Sequence, residues 1–188
     1  KCRQNGIVLS VDNYVPKGYN KQYNRKEQGV MADYVVIMGY DEHNGSSLEA
    51  GSVSSYDFVK EGIEETIKEV PAEKVISGIP FFTRLWAETP KTQEELNQEV
   101  GTEAADYPTK VTSEPLGMST AKDRISQAGA EITFDKTTGE NYATWEADGV
   151  TYEIWLEDAT SIEPKLKLMK ENKLAGTAAW ALGQESSD

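Results

Sequence analysis

The stretch Ala32-Asp33-Tyr34-Val35-Val36-Ile37-Met38-Gly39-Tyr40-Asp41 sets the fold class. Residues 34–38 are apolar or aromatic without polar alternation, as expected of a strand covered on both faces in a parallel α/β sheet or barrel. The run then ends abruptly in a phenol and a carboxylate. Parallel sheets carry their chemistry at the carboxyl ends of their strands, so Tyr40 and Asp41 stand where side chains can face a ligand.

Outward from this strand, the same alternation of strand, turn and amphipathic stretch recurs. Residues 7–11 read as a preceding strand that leads into Asp12-Asn13-Tyr14-Val15-Pro16. A Gly/Ser-rich loop over 44–52 feeds a helix over 54–70, where Ser54 and Asp57 form a capping-box pattern and Val59, Ile63, Ile67 and Val70 keep helical spacing. A third strand follows over 74–81. Residues 87–154 then break the alternation and read as a small α+β insertion of roughly seventy residues. In it, a helix over 119–127 is stopped by Gly129, and strands over 131–134, 141–146 and 150–154 are joined by Asp135-Lys136-Thr137-Thr138-Gly139 and Asp148-Gly149, both hairpin signals. The alternation resumes with a helix that starts near Ser161, takes Pro164 in its first turn, carries Ile162, Leu166 and Met169 on one face, and stops at Asn172. Leu174-Ala175-Gly176-Thr177-Ala178-Ala179-Trp180 is the fourth strand. Four parallel strands with their helices make half of a TIM (β/α)8 barrel, built from 1–86 and 155–188, with 87–154 as the α+β insertion subdomain.

Composition narrows the function. A hydrophobic fraction of 38% and 27% charged residues in 188 suit a globular chain with an ordinary core. The net charge of -13 repels phosphate backbones and anionic lipid, so neither nucleic acid nor membrane is an expected partner. One cysteine, Cys2, and one histidine, His43, leave no intrachain disulfide, no Cys/His metal site and no support for a Ser-His-Asp triad, so no metal and no cofactor are expected. No stretch approaches the roughly 18 apolar residues of a membrane span. The chain opens at Lys1, which leads to the expectation of a piece of a longer polypeptide whose upstream export signal has been lost.

Met38-Gly39-Tyr40-Asp41 resembles the Met-x-Tyr-Asp motif on the sixth barrel strand of glycoside hydrolase family 18, the chitinases and spore peptidoglycan N-acetylglucosaminidases. Gly78-Ile79-Pro80-Phe81-Phe82 is similar to that family's seventh strand, and the α+β stretch after Trp86 sits where chitinase-like members carry their insertion. Tyr152-Glu153-Ile154-Trp155, Ser161-Ile162 and Ala175-Gly176-Thr177-Ala178-Ala179-Trp180 resemble the return into the seventh helix and eighth strand. Tyr40-Asp41-Glu42-His43 and Thr83-Arg84-Leu85-Trp86 have the flavour of the bacterial spore-cortex or cell-wall branch.

The resemblance implies barrel strands five to eight and hydrolysis of β-1,4 bonds in N-acetylglucosamine-containing polysaccharide, chitin or peptidoglycan, by a secreted, cell-wall or spore-associated bacterial enzyme. It implies substrate-assisted catalysis, in which the sugar's own acetamido oxygen attacks the anomeric carbon while a glutamic acid protonates the leaving oxygen. Tyr40 and Asp41 are then the catalytic residues of this chain, the phenol bonding the acetamido oxygen and the carboxylate holding sugar hydroxyls. Met38 lines the pocket wall and Trp180 forms the floor under the pyranose ring. Arg84 and Trp86 either line a subsite or anchor the insertion, and Asp12 and Tyr14 are weaker ligand candidates. The family's Asp-x-x-Asp-x-Asp-x-Glu string, which supplies the acid, occurs nowhere in these residues. The fragment alone is therefore expected to be inactive and to self-associate through open barrel edges. A lectin-like relative that binds without cutting is the alternative.

Overall fold

A computed structural model of the chain describes residues 1–186, so the last two positions of the expected 155–188 segment lie outside the described residues. In chain order its main elements are β1 (Ser10–Tyr14), α1 (Arg25–Met31), β2 (Tyr34–Met38), α2 (Tyr56–Thr66), β3 (Val75–Pro80), β4 (Phe82–Pro90), α3 (Gln93–Gln98) and β5 (Thr109–Gly117). They continue with α4 (Met118–Ala128), β6 (Ile132–Asp135), β7 (Glu140–Ala147), β8 (Val150–Leu156), α5 (Ala159–Glu171) and β9 (Gly176–Trp180).

These elements build two sheets. One is parallel, in the order β1-β2-β3-β9; the other has five strands, in the order β5-β4-β8-β7-β6, all paired antiparallel. Val35 and Ile37 of β2, with Val75 and Ile79 of β3, point to the helix side and pack with Val59 and Ile63 of α2 and Leu168 and Met169 of α5. A second cluster, Leu85, Leu116, Met118, Ala121, Ile125, Ala143, Ile154 and Leu156, lies between the antiparallel sheet and α4. Phe81 alone separates β3 from β4, and its amide donates to the Trp180 carbonyl at 2.6 Å.

Several expected boundaries shift, each for a tertiary reason. The first strand covers Ser10–Tyr14 rather than 7–11, because its ladder partner begins only at Tyr34, opposite Ser10. Ile7 and Val8 are left 57% and 66% exposed. Consequently Asp12 and Tyr14 belong to the strand and not to the turn after it. The first long helix is capped by Ser55, whose Oγ accepts from the Phe58 amide at 3.3 Å, and the helix ends at Thr66. Ser54 is unavailable as a cap because its buried hydroxyl donates to the Gly39 carbonyl.

The helix expected from Ser161 starts at Ala159, under an Asp158 cap. Pro164 therefore falls beyond the first turn. The buried face of α5 is Ser161, Lys165, Leu168 and Met169, with Leu166 turned outward. Of the expected stripe, Ile162 and Met169 pack on the core, while Lys165 is buried where Leu166 turns outward. Strands β4 and β5, paired in register from Phe82–Gly117 to Pro90–Thr109, were not legible as a pair, since their polar and apolar residues alternate without a tight turn between them.

Candidate functional site

Register places three rows of side chains on the face of the parallel sheet opposite α2 and α5. Asp12, Val36, Ile76 and Gly176 form one row, and Tyr14, Met38, Gly78 and Ala178 form the next. Trp180 pairs with Pro80 in the row beyond, at the carboxyl ends of the strands. Tyr40, two residues past Met38, continues the same parity. Gly39 makes the close passage possible: its amide donates to the Gly78 carbonyl at 3.1 Å, and a Cβ there would lie 2.6 Å from that oxygen. Gly78 in turn leaves room for the Tyr40 ring, whose Cε1 would stand 3.3 Å from an added Cβ. The ring also meets Phe82 edge-on, at 6.0 Å between centroids and 75° between planes.

Asp41 has φ of 62°, a left-handed conformation that aspartate tolerates better than most residues and that recurs at ligand sites. Burial raises its carboxyl above the ordinary value, and Arg84 pulls in the opposite direction. The Tyr40 phenol is raised by burial first, then by Asp12, Asp41 and Tyr14. It therefore stays protonated around neutral pH and acts as a hydrogen-bond donor. Arg84, on β4, donates to Ser113 Oγ at 3.1 Å and keeps its Nε buried without a partner. Trp180 is 59% exposed, and the peptide bond after it is cis.

The segment after Asp41 is fastened to the loop before α2. The Glu42 carboxylate accepts from the Ser55 amide at 2.8 Å and the Ser55 hydroxyl at 3.0 Å, and His43 Nδ1 lies 2.8 Å from the Ser52 carbonyl. A carbonyl accepts only, so that ring nitrogen carries its proton. Beneath this loop lies a buried polar cluster. Lys165 donates to Glu157 and to the Ser54 carbonyl, and lies 3.3 Å from the Ser54 hydroxyl. Ser161 donates to the second Glu157 oxygen at 3.0 Å. Glu140 is held well above the carboxylate range, first by burial and then by Glu157, against the pull of Lys165. Its Oε2 otherwise lacks a partner.

The structure brings Met38, Tyr40, Asp41, Arg84 and Trp180 to the carboxyl-end rim of the parallel sheet or next to it. Trp86 departs from the expected subsite role, because it is 1% exposed and its indole donates to the Gly51 carbonyl at 2.9 Å. It anchors the loop instead. Asp12 is exposed on the same face, one row below Tyr14, and adds to the rise of the Tyr40 phenol. Sequence reasoning missed the cluster of Ser54, Glu140, Glu157 and Lys165. Polar residues at core-facing helical positions, Lys165 above all, were the available signal. A wide cavity of about 830 Å³ on the outer side of α5, lined by Thr160, Pro164, Leu166 and Lys167 among others, includes none of the rim residues. Among the described residues, no group of three or more His, Cys, Asp or Glu is arranged to hold a metal ion, and no helix is long and apolar enough to cross a membrane.

A family model, Glycosyl hydrolases family 18, matches residues 4–185 of the chain. The uncharacterized glycosylase YvbX of Bacillus subtilis (strain 168) is 29% identical over 165 residues, covering 87% of this chain and 42% of that protein. The cortical fragment-lytic enzyme of the same organism is 29% identical over 160 residues, covering 84% of this chain and 33% of that protein. The crystal structure of a GH18 chitinase from Cycas revoluta in complex with (GlcNAc)3 superposes with a TM-score of 0.71 at 26% identity, covering 97% of this chain and 54% of that one. The chain thus spans less than half the length of these two curated relatives.

Proposed function

The chain belongs to glycosyl hydrolases family 18, and from that premise we propose that it is the carboxyl-terminal half of a (β/α)8 glycosidase, barrel strands five to eight, acting on N-acetylglucosamine polymers. The antiparallel unit, whose strands run from Phe82 to Leu156 and so reach beyond the expected 87–154, is the inserted subdomain, and the segments flanking it make the half barrel. One observation carries the reading: an exposed indole, a phenol and a carboxylate lie at the carboxyl ends of parallel strands whose outer edges, β1 and β9, are unpaired among the described residues.

In this reading the Tyr40 phenol donates to the acetamido oxygen of the sugar as that oxygen attacks the anomeric carbon. Asp41 orients sugar hydroxyls and favours the developing positive charge, while Arg84 helps keep it ionised. Trp180 stacks under the pyranose ring, and Met38 closes the wall. The proton for the leaving oxygen comes from a glutamic acid on an upstream strand, supplied by the half of the polypeptide that precedes this sequence. Spore-cortex peptidoglycan is the preferred substrate and chitin the second, with a secreted or spore-associated bacterial setting. Support comes from the cortical fragment-lytic relative and, for the acetylated sugar, from the chitinase complex.

The test is to express the sequence with its native upstream region and assay reducing-end release from spore peptidoglycan and chitin oligomers. Release from either, abolished by replacing the upstream glutamate with glutamine, supports the reading. Binding of chitooligosaccharides with no release points to the lectin-like alternative, and neither binding nor release ends the proposal. The 188-residue chain alone is expected to be inactive and to associate through its open edges. A compact, cooperatively melting monomer in light scattering counts against the half barrel.

A further inference from the structure

We propose that Lys165 is a positioning residue for the Tyr40–Asp41 pair, acting through Ser54 on the peptide that precedes Tyr40. The inference rests on the reading of that pair as the catalytic end of the chain. It begins from a cost. An ammonium group at 0% exposure on α5, paired with a carboxylate that is equally sealed, gives little net stability compared with apolar side chains of the same volume. Core packing alone does not account for a lysine here, since the neighbouring face of α5 already supplies Leu168 and Met169.

What Lys165 has, and an apolar residue lacks, is a set of directed donors. One reaches Glu157, which joins β8 to α5, and another reaches the Ser54 carbonyl. The ammonium also lies 3.3 Å from the Ser54 hydroxyl oxygen. An oxygen that accepts from the ammonium must turn its own proton elsewhere, and the Ser54 hydroxyl donates to the Gly39 carbonyl at 2.6 Å. The Gly39 amide meanwhile donates to Gly78 at 3.1 Å. Both polar groups of Gly39 are thus held, one by β3 and the other by a chain that leads to α5. On the far side of Asp41, Glu42 is held by Ser55. The two reacting side chains sit between adjacent clamps, Ser54 before them and Ser55 after them.

Around the ammonium the other facing groups are Glu157 before α5, Glu140 from β7, and Ser161 on α5 itself, hydrogen-bonded to Glu157. This wiring links the start of the antiparallel hairpin and the last helix to the strand end where the phenol must meet the acetamido oxygen. A displacement of about 1 Å at such a contact costs on the order of a hundredfold in rate.

Two variants of the protein carrying its native upstream region test the idea. Ser54→Ala removes only the hydroxyl that grips Gly39. The double variant Lys165→Met with Glu157→Gln removes both buried charges together, so stability is largely kept while the donors to Ser54 are lost. Both are expected to melt close to the wild type, to lose about tenfold or more in kcat with KM within about twofold, and to shift the ring resonances of selectively labelled Tyr40. Unchanged kcat and unchanged Tyr40 resonances in either folded variant overturn the proposal. If the wild type itself cuts neither substrate, the functional reading has failed, and the Tyr40 resonances still decide whether Lys165 positions the ring.

Discussion

The antiparallel sheet packs one face on α4 through Leu116, Met118, Ala121, Ile125, Ile154 and Leu156, and its other face satisfies itself with polar pairs such as Tyr142 to Glu153 at 2.6 Å and Trp155 to Asp135 at 3.0 Å. The parallel sheet is covered on its helix face only. Every residue of β9 is exposed, and so is Tyr14 on β1. The strands of this sheet read as buried on both faces, yet one face is open. The contrast is one of burial: the antiparallel sheet is a finished wall, and the parallel sheet is a floor with one face open.

That contrast breaks most readily at the seam. Trp86 belongs to the wall but holds the Gly51 loop of the floor, so Trp86→Ala should cost about 4 kcal/mol by cavity formation and loss of the indole hydrogen bond. If wall and floor are one cooperative unit, a single urea transition moves to lower midpoint. Two separated transitions, one unshifted, would show that the sheets fold independently.

A second test uses the buried carboxyl. The folded-state value of Glu140 is raised, so the protonated form is the one that folding favours, and its contribution is fully present below the ordinary carboxylate value of about 4.3. That contribution is lost as pH rises through the elevated folded value. Urea midpoints should therefore fall as pH increases above the ordinary carboxylate range, and Glu140→Gln should flatten the profile. An unchanged slope in the variant assigns the pH dependence to other groups.

The smallest effect on stability belongs to the floor. Trp180 is exposed, so Trp180→Ala should change the unfolding free energy by less than about 0.5 kcal/mol. In the protein with its upstream half, the same variant should lose most of its affinity for chitooligosaccharides in calorimetry. Unchanged affinity with unchanged stability would remove the indole from the sugar floor.

Much of the floor was legible. Four short apolar runs announced four parallel strands, because burial on the helix face and strand-end chemistry leave opposite marks on composition: Val35 and Ile37 are sealed, whereas Tyr40 and Asp41 follow at once. The resemblance added roles that periodicity could not. Trp86 was harder, since an aromatic just past a strand reads equally as ligand wall or as core, and only the hydrogen bond to Gly51 separates the two. The pairing of β4 with β5 was invisible, because a ladder between 82–90 and 109–117 depends on what the intervening chain does in space.

Local sequence determined the parallel strands β2, β3 and β9 to within about two residues, where the helices stop at Gly129 and Asn172, and which end of the sheet bears a phenol and an acid, since these follow from side-chain periodicity and from the conformational limits of single residues. Tertiary structure alone decided that Lys165 is interior, that it reaches Ser54 from more than a hundred residues away, and that Ser54 in turn grips Gly39. The reason is physical: a buried charge is tolerated only when partners from distant parts of the chain converge on it, and no local pattern encodes that convergence.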